Sequence, residues 1–404
     1  MSRNLKVFII AGEPSGDKLG RALMDGLIQL TGGNVTFAGV GGEMMQGAGL
    51  ASLFDMSELS IMGLLEVIPA IPRIKRRIAD TTQAALNTQP DVFITIDSPD
   101  FCLRVGKKLK QAGFNCPNIH YVAPSVWAWR PKRAAKMAET VHHVLALLPF
   151  EPPYMQAAGM SCDFVGHPIT TEVQPTAEDI KSVLAGLGLT PDDQIIPILP
   201  GSRRGEIKRQ LPIYLDAAAL ILKARPKAKF VLPAARPILA DVKDRLANCD
   251  LPILLLDPSK YDAATAEHRK RAVYAAGTVA LATSGTISLD LARQRCPMVI
   301  AYTANPVSVM IARRMWINDR VNLVNIVTDS YVVPELLAQD CTAQTAADAI
   351  LGILDDPKTR AAQIVACEDT MQQLGEAAEE PGRRAARSVL DFIGKKDHTQ
   401  NNRL

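Results

Sequence analysis

Val7-Phe8-Ile9-Ile10-Ala11-Gly12-Glu13-Pro14-Ser15-Gly16-Asp17 decides the fold. The apolar run Val7 to Ile10 has none of the alternation of a half-exposed strand, so it describes a parallel strand covered on both faces. Gly12, Pro14 and Gly16 turn the chain, and a helical pattern follows from about Lys18 to Gln29. Asp17 stands where it could cap that helix. The glycines at 12, 16 and 20 lack the G-x-G-x-x-G spacing of a dinucleotide-binding turn.

The same unit recurs downstream. Val92–Ile96, Ile119–Val122 and Val144–Leu147 read as further strands, each followed by a polar or proline-containing loop and a helical stretch. Residues 168–175 are loop-like, and a second series begins with Ile195–Leu199, Phe230–Leu232, Ile253–Leu256, Val279–Ala282 and Met298–Ala301. Pro197 is awkward for a central strand because it cannot donate to the ladder. Beyond Val333 the pattern is helical, and a polar tail begins at Lys395. The expected architecture is α/β: a doubly wound Rossmann-like domain over 1–170, a second over 171–340, C-terminal helices over 341–394 and an unstructured tail over 395–404. Facing one another, two such domains would form a cleft at the carboxyl ends of their strands, where ligands of this fold class bind.

Composition narrows the chemistry. The chain has 404 residues, 48% hydrophobic and 22% charged, with a net charge of +3, so it has no overall bias toward nucleic acid. Its seven cysteines show no C-x-x-C pair and read as reduced, buried thiols of a cytosolic protein. No run approaches the ~20 apolar residues of a membrane span, and no signal peptide is evident. The expected location is the cytoplasm. His142, His143 and His167 lack metal-ligand neighbours, the chain has no D-x-D pair, and no metal or cofactor is expected.

Three strand-end loops carry candidate chemistry. Asp97, in Ile96-Asp97-Ser98-Pro99-Asp100-Phe101, lies at the carboxyl end of a buried strand and could take a proton from a sugar hydroxyl; capping of the next helix by Asp97 or Ser98 is the plainer alternative. Leu199-Pro200-Gly201-Ser202-Arg203 opens a helix, where backbone N–H groups and a guanidinium suit a diphosphate. Thr283-Ser284-Gly285-Thr286 has the same layout, with Asp290 one turn into its helix, facing the ribose. Gly39-Val40-Gly41-Gly42 is a weaker glycine cluster. The apolar stretch Ile61, Met62, Leu64, Leu65, Val67 and Ile68, followed by Arg73, Lys75, Arg76 and Arg77, suits acyl chains and anionic headgroups; a core helix with a solvated basic end reads equally well.

Taken in order, Ala11–Asp17, Asp97–Phe101, Tyr121-Val122-Ala123-Pro124-Ser125-Val126-Trp127-Ala128-Trp129, Phe164-Val165-Gly166-His167-Pro168, Leu199–Arg203 and Ser284-Gly285-Thr286 resemble the lipid-A-disaccharide synthase family from about residue 6 to 340. The resemblance implies an inverting GT-B glycosyltransferase joining UDP-2,3-diacylglucosamine to 2,3-diacylglucosamine 1-phosphate. It implies Asp97 as base on the acceptor 6-hydroxyl, Arg203 on the diphosphate, backbone donors at Ser284, Gly285 and Thr286, Asn325 near the donor, and Glu13, Ser15 and Gly16 lining the cleft. It also implies peripheral association with the inner membrane and a homodimer exchanging C-terminal segments. Relatives usually carry glutamate where this chain has Asp290, and commonly proline before the asparagine where it reads Leu323-Val324-Asn325-Ile326. Another GT-B transferase, a UDP-sugar 2-epimerase and a non-catalytic nucleotide-sugar or lipid-binding protein are the alternative readings.

Overall fold

The computed structural model describes residues 4–59, 64–304 and 316–401, without the side chains of 64–70 and 396–401. The chain divides into two compact units, residues 1–168 with 377–404, and residues 169–376.

In the first unit the strands are β1 (Leu5–Ala11), β2 (Val35–Val40), β3 (Ala51–Ser52), β4 (Val92–Ile96), β5 (Asn118–Tyr121), β6 (His143–Ala146) and β7 (Ser161–Phe164). They form one parallel sheet in the order β3-β2-β1-β4-β5-β6-β7. The intervening helices are α1 (Pro14–Leu30), α2 (Glu43–Gln46), α3 (Leu64–Thr88), α4 (Pro99–Gln111), α5 (Lys132–Ala138) and α6 (Pro152–Ala157). The continuous apolar run of β1 has a plain cause. Val7, Ile9 and Ala11 pack with Leu19, Leu23 and Leu27 of α1, whereas Phe8 and Ile10 pack with Ile78 of α3 and with Phe101 and Val105 of α4. A strand sandwiched between helices has no face to leave polar.

In the second unit the strands are β8 (Ile195–Leu199), β9 (Lys229–Pro233), β10 (Ile253–Leu256), β11 (Ala280–Ala282), β12 (Met298–Tyr302) and β13 (Glu335–Leu337), parallel in the order β10-β9-β8-β11-β12-β13. The helices are α7 (Ala177–Ala185), α8 (Arg204–Ala224), α9 (Leu239–Ala247), α10 (Ala263–Ala275), α11 (Ile287–Arg293), α12 (Leu323–Val327), α13 (Ala343–Asp355) and α14 (Pro357–Gln373). Pro197 does sit in a central strand. Pairing of β8 with β11 starts only at Ile198, so the missing N–H falls outside that ladder.

Two expectations for the C-terminal third need correction. The chain beyond Val333 is not wholly helical, because Glu335–Leu337 adds an edge strand beside β12. Nor do residues 341–394 form a separate segment: α13 and α14 belong to the second unit, whereas α15 (Pro381–Asn401) returns to the first. There Ala385, Ala386 and Val389 complete the core over α1. His143 Nε2 meets Ser388 Oγ at 2.8 Å, and its ring stacks on Phe392. The polar stretch expected as a tail is helical as far as Asn401, since no proline follows Pro381 to break it.

Candidate functional site

In a doubly wound sheet the crevice for ligands opens where strand order reverses. In the first unit that point lies between β1 and β4, and in the second between β8 and β11. The candidate loops occupy these four strand ends.

At the first switch point the β1–α1 loop passes so close to the β4–α4 loop that a Cβ on Gly12 would lie 2.4 Å from Ser98 Oγ. Glu13 is half-buried, Ser15 exposed and Gly16 buried. Asp97 and Ser98 are both left-handed, with φ of 50° and 43°, and Val122 at the end of β5 has φ 82°. Such backbone costs about 1–3 kcal/mol per residue and gathers at functional sites. The capping alternative fails for Ser98, which takes the N-cap position of α4 without a side-chain cap bond. The half-buried Asp97 carboxylate accepts no hydrogen bond among the described residues, so it is uncommitted. Asp17 does not cap its own helix. Lying inside α1, it accepts the backbone N–H groups of Gly42, Met44 and Met45 at 2.8, 3.0 and 3.1 Å, and so caps α2.

The Trp-rich loop after β5 is held from beneath. Buried Glu151 accepts the Trp127 indole N–H at 3.3 Å and the amides of Leu147 and Leu148 at 3.2 and 3.0 Å. Burial pushes its carboxyl up to about 7 against those three donors.

At the second switch point lies a cavity of about 670 Å³, contained within the second unit. It brings together Arg203, Ser284, Gly285, Thr286 and Asp290. The side chain of Arg203 is 74% exposed. The helix start at α8 is not an open anion site, however. Glu206 Oε2 accepts the amides of Ser202 and Arg203 at 2.9 and 3.2 Å, and Oε1 accepts Arg203 Nη1 at 3.2 Å. Gly201, at φ 115°, makes room for it, because a Cβ there would lie 2.4 Å from Glu206 Oε2. The amides of Ser284, Gly285 and Thr286, by contrast, have no acceptor among the described residues, and the buried Thr283 hydroxyl is also unpartnered. Asp290 is pushed up to about 6 by burial, an effect that the charge of Lys270 opposes.

Sequence reasoning missed the far wall, built from Ala234, Arg236, Leu256, Tyr261 and Arg269 at the end of β10, on the loops after β9 and β10 and on α10. Arg269 lies over the Tyr261 ring at 4.5 Å. Asn325 is not in this wall. Its Nδ2 donates to Val333 O and Glu335 Oε1, both at 2.8 Å, and its Oδ1 accepts Val333 N–H at 3.0 Å. That buried amide fastens α12 to the approach of β13.

In the apolar-basic stretch, Ile61 and Met62 lie outside the described residues, as do the side chains of Leu64, Leu65, Val67 and Ile68. Arg73, Lys75 and Arg76 are exposed. Arg77 is turned inward, with Nη2 and Nε on Glu58 at 2.6 and 2.9 Å and its guanidinium over Phe54 at 4.5 Å. Among the described residues no three or more His, Cys, Asp or Glu side chains gather as a metal site, and no helix is long and apolar enough to cross a membrane. Six of the seven cysteines are buried, and Cys249 is half-buried.

Two parallel, doubly wound units, the second with a cavity at its switch point, are the architecture of the GT-B fold. Solved structures share the fold at low identity. The UDP-GlcNAc 2-epimerase of Neisseria meningitidis, bound to UDP-GlcNAc, is 12% identical with a TM-score of 0.56, covering 97% of this chain and 99% of its own. The calicheamicin glycosyltransferase is 14% identical with a TM-score of 0.54, covering 98% and 99%. Sequence goes further. Residues 7–389 match the family model described as lipid-A-disaccharide synthetase. The lipid-A-disaccharide synthase of Ruegeria pomeroyi is 50% identical over 393 residues, 97% of this chain and 96% of that one, and the Rhodospirillum centenum enzyme is 44% identical over 394 residues, with the same coverage. The chain belongs to the lipid-A-disaccharide synthetase family and is a glycosyltransferase of lipid A biosynthesis.

Proposed function

We propose that the chain joins UDP-2,3-diacylglucosamine to 2,3-diacylglucosamine 1-phosphate through a β(1→6) bond, with inversion and release of UDP. Asp97 takes the proton of the acceptor 6-hydroxyl as its oxygen attacks the anomeric carbon. The C–O bond to the diphosphate breaks on the opposite side, and UDP leaves with the electron pair. Arg203 and the amides of Ser284, Gly285 and Thr286 receive the growing negative charge, with Asp290 on the ribose. Asn325 acts at one remove, by positioning α12. Glu13, Ser15 and Gly16 serve the acceptor side.

The observation that carries this reading is the coincidence of the motifs with the switch points: the uncommitted Asp97 at one, and Arg203, Ser284 and Asp290 around a 670 Å³ cavity at the other. The acylated substrates call for a cytoplasmic enzyme lying on the inner leaflet, and Arg73, Lys75 and Arg76 supply charge for it. A homodimer, with exchange of C-terminal segments, is part of the same proposal. The test is UDP release by the purified chain given the diacylated donor, with and without acceptor, in EDTA. Acceptor-dependent release with a disaccharide product is expected, and release that ignores the acceptor would overturn the reading.

A further inference from the structure

Arg130, Lys132, Arg133 and Lys136 lie within seven residues, on the loop after β5 and on α5. Among the described residues none of the four has a carboxylate partner, whereas Arg21, Arg77, Arg271, Arg293 and Arg320 are all ion-paired. Lys132 and Arg133 also stand in the first turn of α5, which has no acidic residue. Cations at a helix start oppose the macrodipole. Neither local folding nor an internal ion pair therefore accounts for this charge, which is left available to an external anion.

The loop is built to hold a shape. Glu151 and the edge-on Phe150 ring fix Trp127. Val122 and Arg130, with φ of 82° and 51°, bend the backbone at either end. Arg133 is close enough to β5 for its charge to act, after burial, on His120, whose ring is held down at about 4. Trp129 stays 36% exposed with the Arg130 guanidinium over it at 4.4 Å, setting an apolar plate beside the cations. The strand ends are adjacent, since Asp97 N–H donates to Tyr121 O at 3.0 Å.

We infer that Arg130, Lys132 and Arg133, with Trp129 beside them, form a seat for the phosphomonoester of the acylated amino-sugar acceptor. Lys136, one turn further along α5, adds field. This rests on the function proposed above, in which the acceptor carries a phosphate and Asp97 takes its proton. A phosphate dianion suits three unpaired cations, and the indole suits the apolar portion of the same molecule.

The experiment compares wild type with the variants Arg130→Gln/Lys132→Gln and Arg133→Gln on acceptor with and without its 1-phosphate, with UDP titration as the control for fold. The expected result is a rise of at least tenfold in acceptor KM, unchanged UDP affinity, and collapse of the wild-type preference for the phosphorylated acceptor. Retention of that preference in the variants would overturn the inference, as would a loss of UDP affinity that tracks the loss of rate. Sedimentation with phosphatidylglycerol vesicles separates the other source of phosphate: weakened vesicle binding with the preference intact assigns these cations to the bilayer and defeats the inference. A wild type that transfers nothing defeats the functional reading itself, whereas a transferring wild type with indifferent variants defeats only this inference.

Discussion

Glu206 and Arg203 are joined twice, through the backbone N–H of Arg203 and through its guanidinium, both at 3.2 Å. The carboxylate therefore caps α8 and also aims the cation that faces the cavity. Glu206→Ala should lower stability by about 1 kcal/mol, the usual worth of a helix cap, and should raise the donor KM because Arg203 loses its tether. Arg203→Ala should raise the donor KM further without the loss of stability. Thermal denaturation beside donor kinetics checks both, and a Glu206→Ala enzyme with wild-type donor KM would remove the tether from the account.

Asp97 tests the assignment of the base. Its carboxylate has no partner in the first unit, so replacing it by Asn breaks no internal bond. Asp97→Asn should lower kcat by about 10²–10⁴-fold, the usual worth of general base catalysis, with UDP affinity unchanged. Near-normal turnover would exclude Asp97 from proton transfer.

Asp290 should give the donor site a pH dependence. Burial raises its folded carboxyl from 3.8 to about 6, so the folded chain holds the proton more tightly than the unfolded one. The linkage has a definite sign: stability from this group is full below 3.8, falls as pH rises through the window, and is lost above about 6. Asp290→Asn should flatten that slope. UDP affinity should move the opposite way in wild type, weakening below about pH 6 as the ribose loses an ionised acceptor, and the variant should show no such step. Calorimetric titration of UDP between pH 5 and 8 reads it directly.

These residues also mark what the sequence could disclose. β1 and β8 were legible because burial on both faces leaves an unbroken apolar run. Loops at strand ends were legible because glycine and proline punctuate them. Asp17 was misread because its partners lie 25 to 28 residues away at the start of α2, and no local pattern announces a cap made at that range. The cavity wall at Arg236, Tyr261 and Arg269 has no motif, since its two loops and α10 converge only through the sheet order. β13 escaped notice because three half-buried edge residues are too short for a period. Asn325 was singled out as a residue near the donor, whereas its bonds to Val333 and Glu335 depend on how the chain returns beside β12.

The basic end of α3 separates surface charge from packing. Arg77 is bound to Glu58 and stacked on Phe54, whereas Arg73, Lys75 and Arg76 are exposed. Reversing the charge of these three should weaken binding to anionic vesicles, most strongly at low salt, while leaving the melting temperature almost unchanged. Arg77→Glu should do the reverse, lowering the melting temperature by breaking the pair with Glu58. Equal effects of both variants on vesicle binding would refute the division.

The last helix offers a test of how the first unit is completed. α15 approaches α1 so closely that a Cβ on Gly382 would lie 2.6 Å from Ala22 O, and one on Gly26 would lie 2.7 Å from Gly382 O. Both contacts are with backbone, which cannot turn aside as a side chain can, so Gly382→Val must push the helices apart. Overpacking of this kind costs about 1–3 kcal/mol. The strain should appear first where α15 is pinned, at the His143–Ser388 hydrogen bond and the His143–Phe392 stack. Hydrogen exchange should therefore accelerate across residues 383–393 and along α1, while α13 and α14, which belong to the other unit, keep their protection. Uniform acceleration in both units would instead mean that the two unfold together, and that α15 has no separate role in closing the first.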